Sequence, residues 1–136
     1  LRGCLTPMRD AVDILHYNLH VKFNIDSQTI SGYNDITFKT SGLLQTLQFD
    51  LFENLNIDGI EMNFFSLNYK REGNAFFVEP AEKLEKSVMY KMRIYYSGKP
   101  TVAERAPWDG GFIWNKSASG KPWISVACEG FGASSW

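Results

Sequence analysis

A chain of 136 residues, 44% hydrophobic and 21% charged, has the length and balance of one folded domain with a core of its own. Its formal net charge of −1 comes from 14 basic and 15 acidic residues that are well mixed, leaving no basic stripe for nucleic acid and no like-charged tail. No apolar run approaches the ~18–20 residues of a membrane-spanning helix.

Residues 1–13 hold Pro7 and scattered charges (Arg2, Arg9, Asp10, Asp13) and read as an irregular lead-in. Leu1-Arg2-Gly3-Cys4 has a passing likeness to a lipoprotein processing site but lacks the apolar region that would precede one. The chain starts without Met and stops at Ser134-Ser135-Trp136, so we expect a piece of a longer protein.

From Ile14 to Thr40 the pattern becomes regular. Leu15, Tyr17, Leu19, Val21, Phe23 and Ile25 fall on every second position, alternating with His16, Asn18, His20, Lys22 and Asn24. A period of two puts the apolar set on one face of a strand, which is expected to face the core. Asp26-Ser27-Gln28-Thr29 supplies turn chemistry, and Ile30-Ser31-Gly32 leads into a second alternation of Asn34, Ile36 and Phe38 with Asp35, Thr37 and Lys39. A long hairpin is marginal alone in water, so later strands must cover its apolar face.

Leu47, Phe49 and Leu51 alternate with Gln48, Asp50 and Phe52 as a third strand, and Leu55, Ile57, Ile60 and Met62 mark a fourth, with a bulge at Asp58-Gly59 where the phase changes. Arg71-Glu72-Gly73-Asn74 is a hairpin turn between Leu67/Tyr69 and Ala75–Val78. Residues 81–96 fit both periods, but the β-branched and aromatic residues after Ser87 favour a strand through Val88, Tyr90, Met92, Ile94 and Tyr96. Residues 99–111 are the longest irregular stretch, with Pro100, Pro107, Gly110 and Gly111. A last hairpin joins Phe112–Trp114 to Trp123–Ala127. No amphipathic helix and no internal repeat is evident. The pattern predicts an all-β fold, an antiparallel β-sandwich or open, saddle-shaped curved sheet over residues 1–136, incomplete at its C-terminal side.

His16 and His20 have the i, i+4 spacing of a zinc-binding helix of the His-Glu-x-x-His type, but Tyr17 replaces the Glu and the segment is a strand. Four strand residues span ~13 Å, whereas two ligands of one zinc each approach to ~2.0–2.1 Å. We therefore read them as polar-face histidines and expect no metal here. Cys4 and Cys128 are equally readable as a pair or as lone thiols. Asn115-Lys116-Ser117 is a formal glycosylation sequon. No nucleophile elbow, phosphate-binding loop or dinucleotide-binding glycine pattern occurs. The four tryptophans (Trp108, Trp114, Trp123, Trp136) fall in the last 29 residues and suit either a core contact or a stacking surface. Val126-Ala127-Cys128-Glu129-Gly130-Phe131-Gly132 sets a carboxylate just past an apolar strand, beside two glycines that allow close backbone approach.

Taken together, Asp13-Ile14-Leu15-His16-Tyr17-Asn18-Leu19, Ile30-Ser31-Gly32, Leu47-Gln48-Phe49-Asp50-Leu51 and Tyr95-Tyr96-Ser97-Gly98-Lys99-Pro100 resemble, in order and spacing, the N-terminal domain of the aminopeptidase N family of zinc metallopeptidases. Leu1–Arg9 and Gly110–Trp136 are similar to its bacterial branch. The resemblance implies a saddle-shaped β domain packed on a catalytic domain of the same parent chain, with Zn2+ held there and none in this segment. It implies that the family's Gln-x-Glu or Gln-x-Gln motif corresponds to Ala127-Cys128-Glu129. Glu129 would then face the free amine of a peptide substrate, with Gly130 keeping the backbone slim; Ala127 replaces the motif's first Gln. Bacterial cytoplasm and cell envelope both suit such a protein. Exposed apolar surface at an incomplete domain implies self-association. Two other readings stay open: a self-contained β-sandwich binding module, for glycan or protein, using the tryptophan-rich end; and a structural spacer.

Overall fold

The computed structural model describes residues 4–128 and Gly132. The fold is all-β with antiparallel sheets. The lead-in is not wholly irregular: Thr6 accepts from the Arg9 N–H and, with Pro7 in the first turn, starts a one-turn helix α1 (Pro7–Asp10). Ten strands follow: β1 (Val12–Asn24), β2 (Thr29–Thr40), β3 (Leu47–Asp50), β4 (Leu55–Met62), β5 (Phe65–Ser66), β6 (Asn68–Glu72), β7 (Ala75–Glu79), β8 (Met89–Gly98), β9 (Gly111–Lys116) and β10 (Pro122–Ala127). They form a five-stranded sheet in the order β1-β2-β8-β4-β5, a three-stranded sheet β3-β7-β6, and the hairpin β9–β10.

The core lies on one side of the five-stranded sheet. Ile30, Ile36 and Phe38 of β2, Met92, Ile94 and Tyr96 of β8, and Leu55, Ile57, Ile60 and Met62 of β4 point into one cluster with Leu47, Phe49, Phe76 and Val78 of the three-stranded sheet. Phe38 meets Phe49 edge-on across the layers at 6.2 Å, and Phe49 stacks on Phe76 at 5.8 Å. The expected bulge in β4 is present between Ile57 and Gly59.

Sequence alternation alone does not anticipate the far side of β3. Gln48 is buried and accepts from the Thr6 hydroxyl, while Arg9 pairs with Asp50. Helix α1 thus covers the outer face of this short strand. Residues 81–88 form no helix; Leu84 bridges Leu44 instead, and β8 begins at Met89. Arg71 fastens the turn before β4 by donating to the Leu51 and Leu55 carbonyls, and its partial burial draws its pKa down.

The largest departure is in β1. Its pairing puts Tyr17, Leu19, Val21 and Phe23 beside Ile36, Asn34, Gly32 and Ile30, on the core-facing side. Yet β1 is the outermost strand, and Tyr17 is 49% exposed, Leu19 and Phe23 38% each. The expected apolar face exists, but the described strands cover little of it. Leu15 falls at a bulge between Ile14 and His16 and drops out of the alternation.

Candidate functional site

Ala127 is the last residue of β10 and pairs with Gly111 at the start of β9. Gly111 sits at φ 142°, and a Cβ there would lie 2.7 Å from the Ala103 nitrogen and 2.8 Å from the Thr101 oxygen. That contact is backbone against backbone, so only glycine fits. Phe112 donates its N–H to Thr101 and its carbonyl accepts from Ala103, which binds the hairpin to the preceding segment. Phe112 is fully buried; it stacks on Trp114 at 5.7 Å and lies 6.3 Å from Phe23, so the hairpin rests on the far end of β1. The end of β10 is therefore held through β9, its strand partner. Glu129 and Gly130, the other two residues of the expected amine-reading site, lie outside the described residues.

The tryptophans divide. Trp114 is a packing residue, with its indole nitrogen buried and no partner for it among the described residues. Trp123 and Trp108 are 61% and 83% exposed. Cys4 and Cys128 are both exposed and not joined.

His16 and His20 lie exposed on the outer face of β1, and the His20 ring stacks on Tyr33 at 4.4 Å. Among the described residues, no group of three or more His, Cys, Asp or Glu is placed to hold a metal ion. The described residues do not form a zinc site.

Residue-by-residue reading missed an ion cluster on that outer face. Asp35 of β2 is 3% exposed and accepts from the Arg93 guanidinium at 2.6 and 2.9 Å, with Lys91 at 3.1 Å. Arg93 stacks over Tyr33 at 4.0 Å, and the Tyr95 hydroxyl donates to Glu61 at 3.2 Å. The Arg93 hydrogen bonds hold Asp35 at a pKa of about 2 against the opposing effect of burial, with Lys91 adding to them. Arg93 is in turn shifted upward, chiefly by Asp35. With its charge already compensated, Asp35 cannot take up a proton near neutral pH, so the cluster has the properties of a structural clasp. The signal available in sequence was the alternation of Tyr33 and Asp35 facing Arg93 and Tyr95, but the residues are 58 positions apart at the key pair.

An open depression lined by Phe52, Glu53, Asn54, Asn74, Lys99 and Thr101 brings no titratable groups into mutual contact; Asn54 and Asn74 are spent on backbone partners.

The architecture defines a two-layer antiparallel β unit whose carboxyl-terminal hairpin carries the candidate site. No family model matches the chain, and no curated protein sequence matches it. Solved structures do share the fold. Leukotriene A4 hydrolase from Saccharomyces cerevisiae matches with a TM-score of 0.70 at 16% identity, over 93% of this chain and 20% of that one. The M1 zinc metallopeptidase of Deinococcus radiodurans matches with 0.64 at 18% identity, over 81% of this chain and 25% of that one. A mutant of the Deinococcus radiodurans M1 zinc metallopeptidase bound to a Tyr-Ser-Ala substrate matches with 0.61 at 19% identity, over 69% and 22%. At such identities the likeness is one of fold, and this chain spans only a fifth to a quarter of the length of those structures.

Proposed function

We propose that residues 1–136 form one domain, the substrate-anchoring β domain at the amino-terminal side of a zinc-dependent aminopeptidase. The zinc and the hydrolytic machinery belong to a catalytic domain of the same parent chain. This segment alone is then inactive. The observation that carries the reading is the fold likeness, which takes in 93% of this chain while using only 20% of a hydrolase. The resemblance in motif order from Asp13 to Pro100 supports it independently.

On this reading the peptide's free α-amine is recognised at the end of β10. An exopeptidase must bind that cation and refuse a peptide lacking it. Glu129 supplies the opposite charge two residues beyond Ala127, and Gly130 leaves room for close approach. At ~4 Å and an effective dielectric near ~20, the attraction is about 4 kcal/mol before desolvation is subtracted. Half of that already exceeds a tenfold effect on rate. Ala127 cannot hydrogen-bond a substrate through its side chain, so the neighbouring contact depends on backbone or on other residues.

The test is Glu129→Gln in the full-length parent protein, assayed on aminoacyl substrates and on their N-blocked counterparts. We expect kcat/KM for the free-amine substrates to fall about tenfold or more with folding unchanged. Unchanged kcat/KM would remove Glu129 from the site. A parent reading frame without a His-Glu-x-x-His would remove the aminopeptidase reading altogether.

The exposure of Trp108 and Trp123 favours one second reading, a binding module that stacks sugars on these rings. Glycan binding by the isolated chain that is lost on Trp123→Ala would support it over the first.

A further inference from the structure

Strand β1 is the longest in the protein, at 13 residues, and one of its edges carries no partner among the described strands. A free edge presents a row of unpaired N–H and C=O groups, which proteins usually protect with prolines, inward-pointing charges or very short strands. The other exposed edge of the same sheet, β5, has only two residues. β1 has a bulge at Leu15 and one lysine, with no proline and no charge on its core-facing side. Tyr17, Leu19 and Phe23 are left partly exposed on that side.

Only two residues of β1 are Asp, Glu, Lys or Arg: Asp13 and Lys22. Both lie on the outer face, opposite Lys39 and Ser31 of β2, both are exposed, and neither is in an ion pair among the described residues. Consider a second copy of the strand laid antiparallel with Asn18 on a two-fold axis. Tyr17 of each copy then faces Leu19 of the other, and His16 faces His20. Beyond the bulge, one residue must be absorbed for outer-face side chains to stay opposite outer-face ones. That shift puts Ile14 opposite Val21 and Asp13 opposite Lys22. The two charges of the edge therefore neutralise each other twice, and the apolar residues meet apolar residues throughout.

We propose that β1 is an association surface for a second copy of this chain, joining two five-stranded sheets through an isologous β1–β1 pairing centred on Asn18. Backbone hydrogen bonds supply the attraction, and the Asp13–Lys22 match selects this register over neighbouring ones. The proposal does not depend on the aminopeptidase reading, since it uses only the edge and its side chains.

The test measures sedimentation equilibrium of the chain from about 10 µM to about 1 mM, with circular dichroism confirming folding of every variant. Wild type should show a reversible monomer–dimer equilibrium. Lys22→Asp sets like charges opposite each other at both ends and should weaken the dimer at least about tenfold. The double exchange Asp13→Lys with Lys22→Asp restores opposite charges and should recover most of that loss. A strict monomer at the highest concentration overturns the proposal, as does a dimer that is indifferent to Lys22→Asp or one that the double exchange fails to rescue. Lys22→Asp lies on an exposed outer face opposite Ser31 and is not expected to disturb the fold; Asp13→Lys faces Lys39 of β2, so the Asp13→Lys single variant is measured alongside to separate that like-charge cost from the loss of the dimer.

Discussion

Gly32 shows how one residue sets the geometry of the first hairpin. It pairs with Val21, and a Cβ built on it would lie 1.9 Å from the His20 carbonyl oxygen. No side-chain rotation relieves such a clash, because the obstructing atom belongs to the backbone of β1. Strand β1 therefore lies closer over β2 than any other residue would permit. Gly32→Ala must push the two strands apart and is expected to cost about 2 kcal/mol or more in a denaturant titration. Gly42, whose Cβ would meet nothing within 4 Å, is the control: Gly42→Ala should leave stability unchanged or raise it by up to about 1 kcal/mol. Equal effects at the two sites would mean the close approach is wrong.

At the scale of elements, β1 and β2 have the same alternation and different burial. Phe38 is fully buried between Phe49 and Tyr90, whereas Leu19 keeps more than a third of its surface in solvent. Phe38→Ala should cost about 3–5 kcal/mol and Leu19→Ala only about 1–2, measured by the same titration. A Leu19 loss as large as that of Phe38 would show that something covers β1 in solution. This contrast marks what the sequence made legible. Period-two patterning locates nearly every strand and turn, because each follows from neighbouring residues. Coverage depends on sheet order, and nothing local says that β1 ends its sheet while β8 sits between β2 and β4. The two-residue β5 and the Leu44–Leu84 bridge are too short to leave a period. The same limit applies to the site. The strand carrying Ala127 is readable from its apolar run, but Gly111 against Thr101–Ala103, which fixes its position, joins parts of the chain that pattern does not connect.

The outer face of the five-stranded sheet ties the molecule together by charge. Asp35 lies on β2 and Arg93 and Lys91 on the neighbouring β8; the Tyr95 hydroxyl, also of β8, continues the row by donating to Glu61 of β4. Because Asp35 is nearly inaccessible, its carboxylate is more stable ionised and paired than protonated, and its two bonds to Arg93 tie β2 to β8. Folding lowers its pKa from 3.8 to about 2, so the folded chain binds this proton less readily than the unfolded chain. The sign follows: the stabilisation is complete above about pH 4 and is lost as pH falls through about pH 2. Asp35→Asn removes the charge while keeping the size, and leaves Arg93 with an incomplete partner. We expect it to cost about 1–3 kcal/mol at neutral pH. Stability measured between pH 5 and about pH 2 should fall steeply in wild type and less steeply in the variant, since the variant has no carboxylate to protonate at this site. If the two profiles run parallel, the Asp35 clasp is not what acid dissolves.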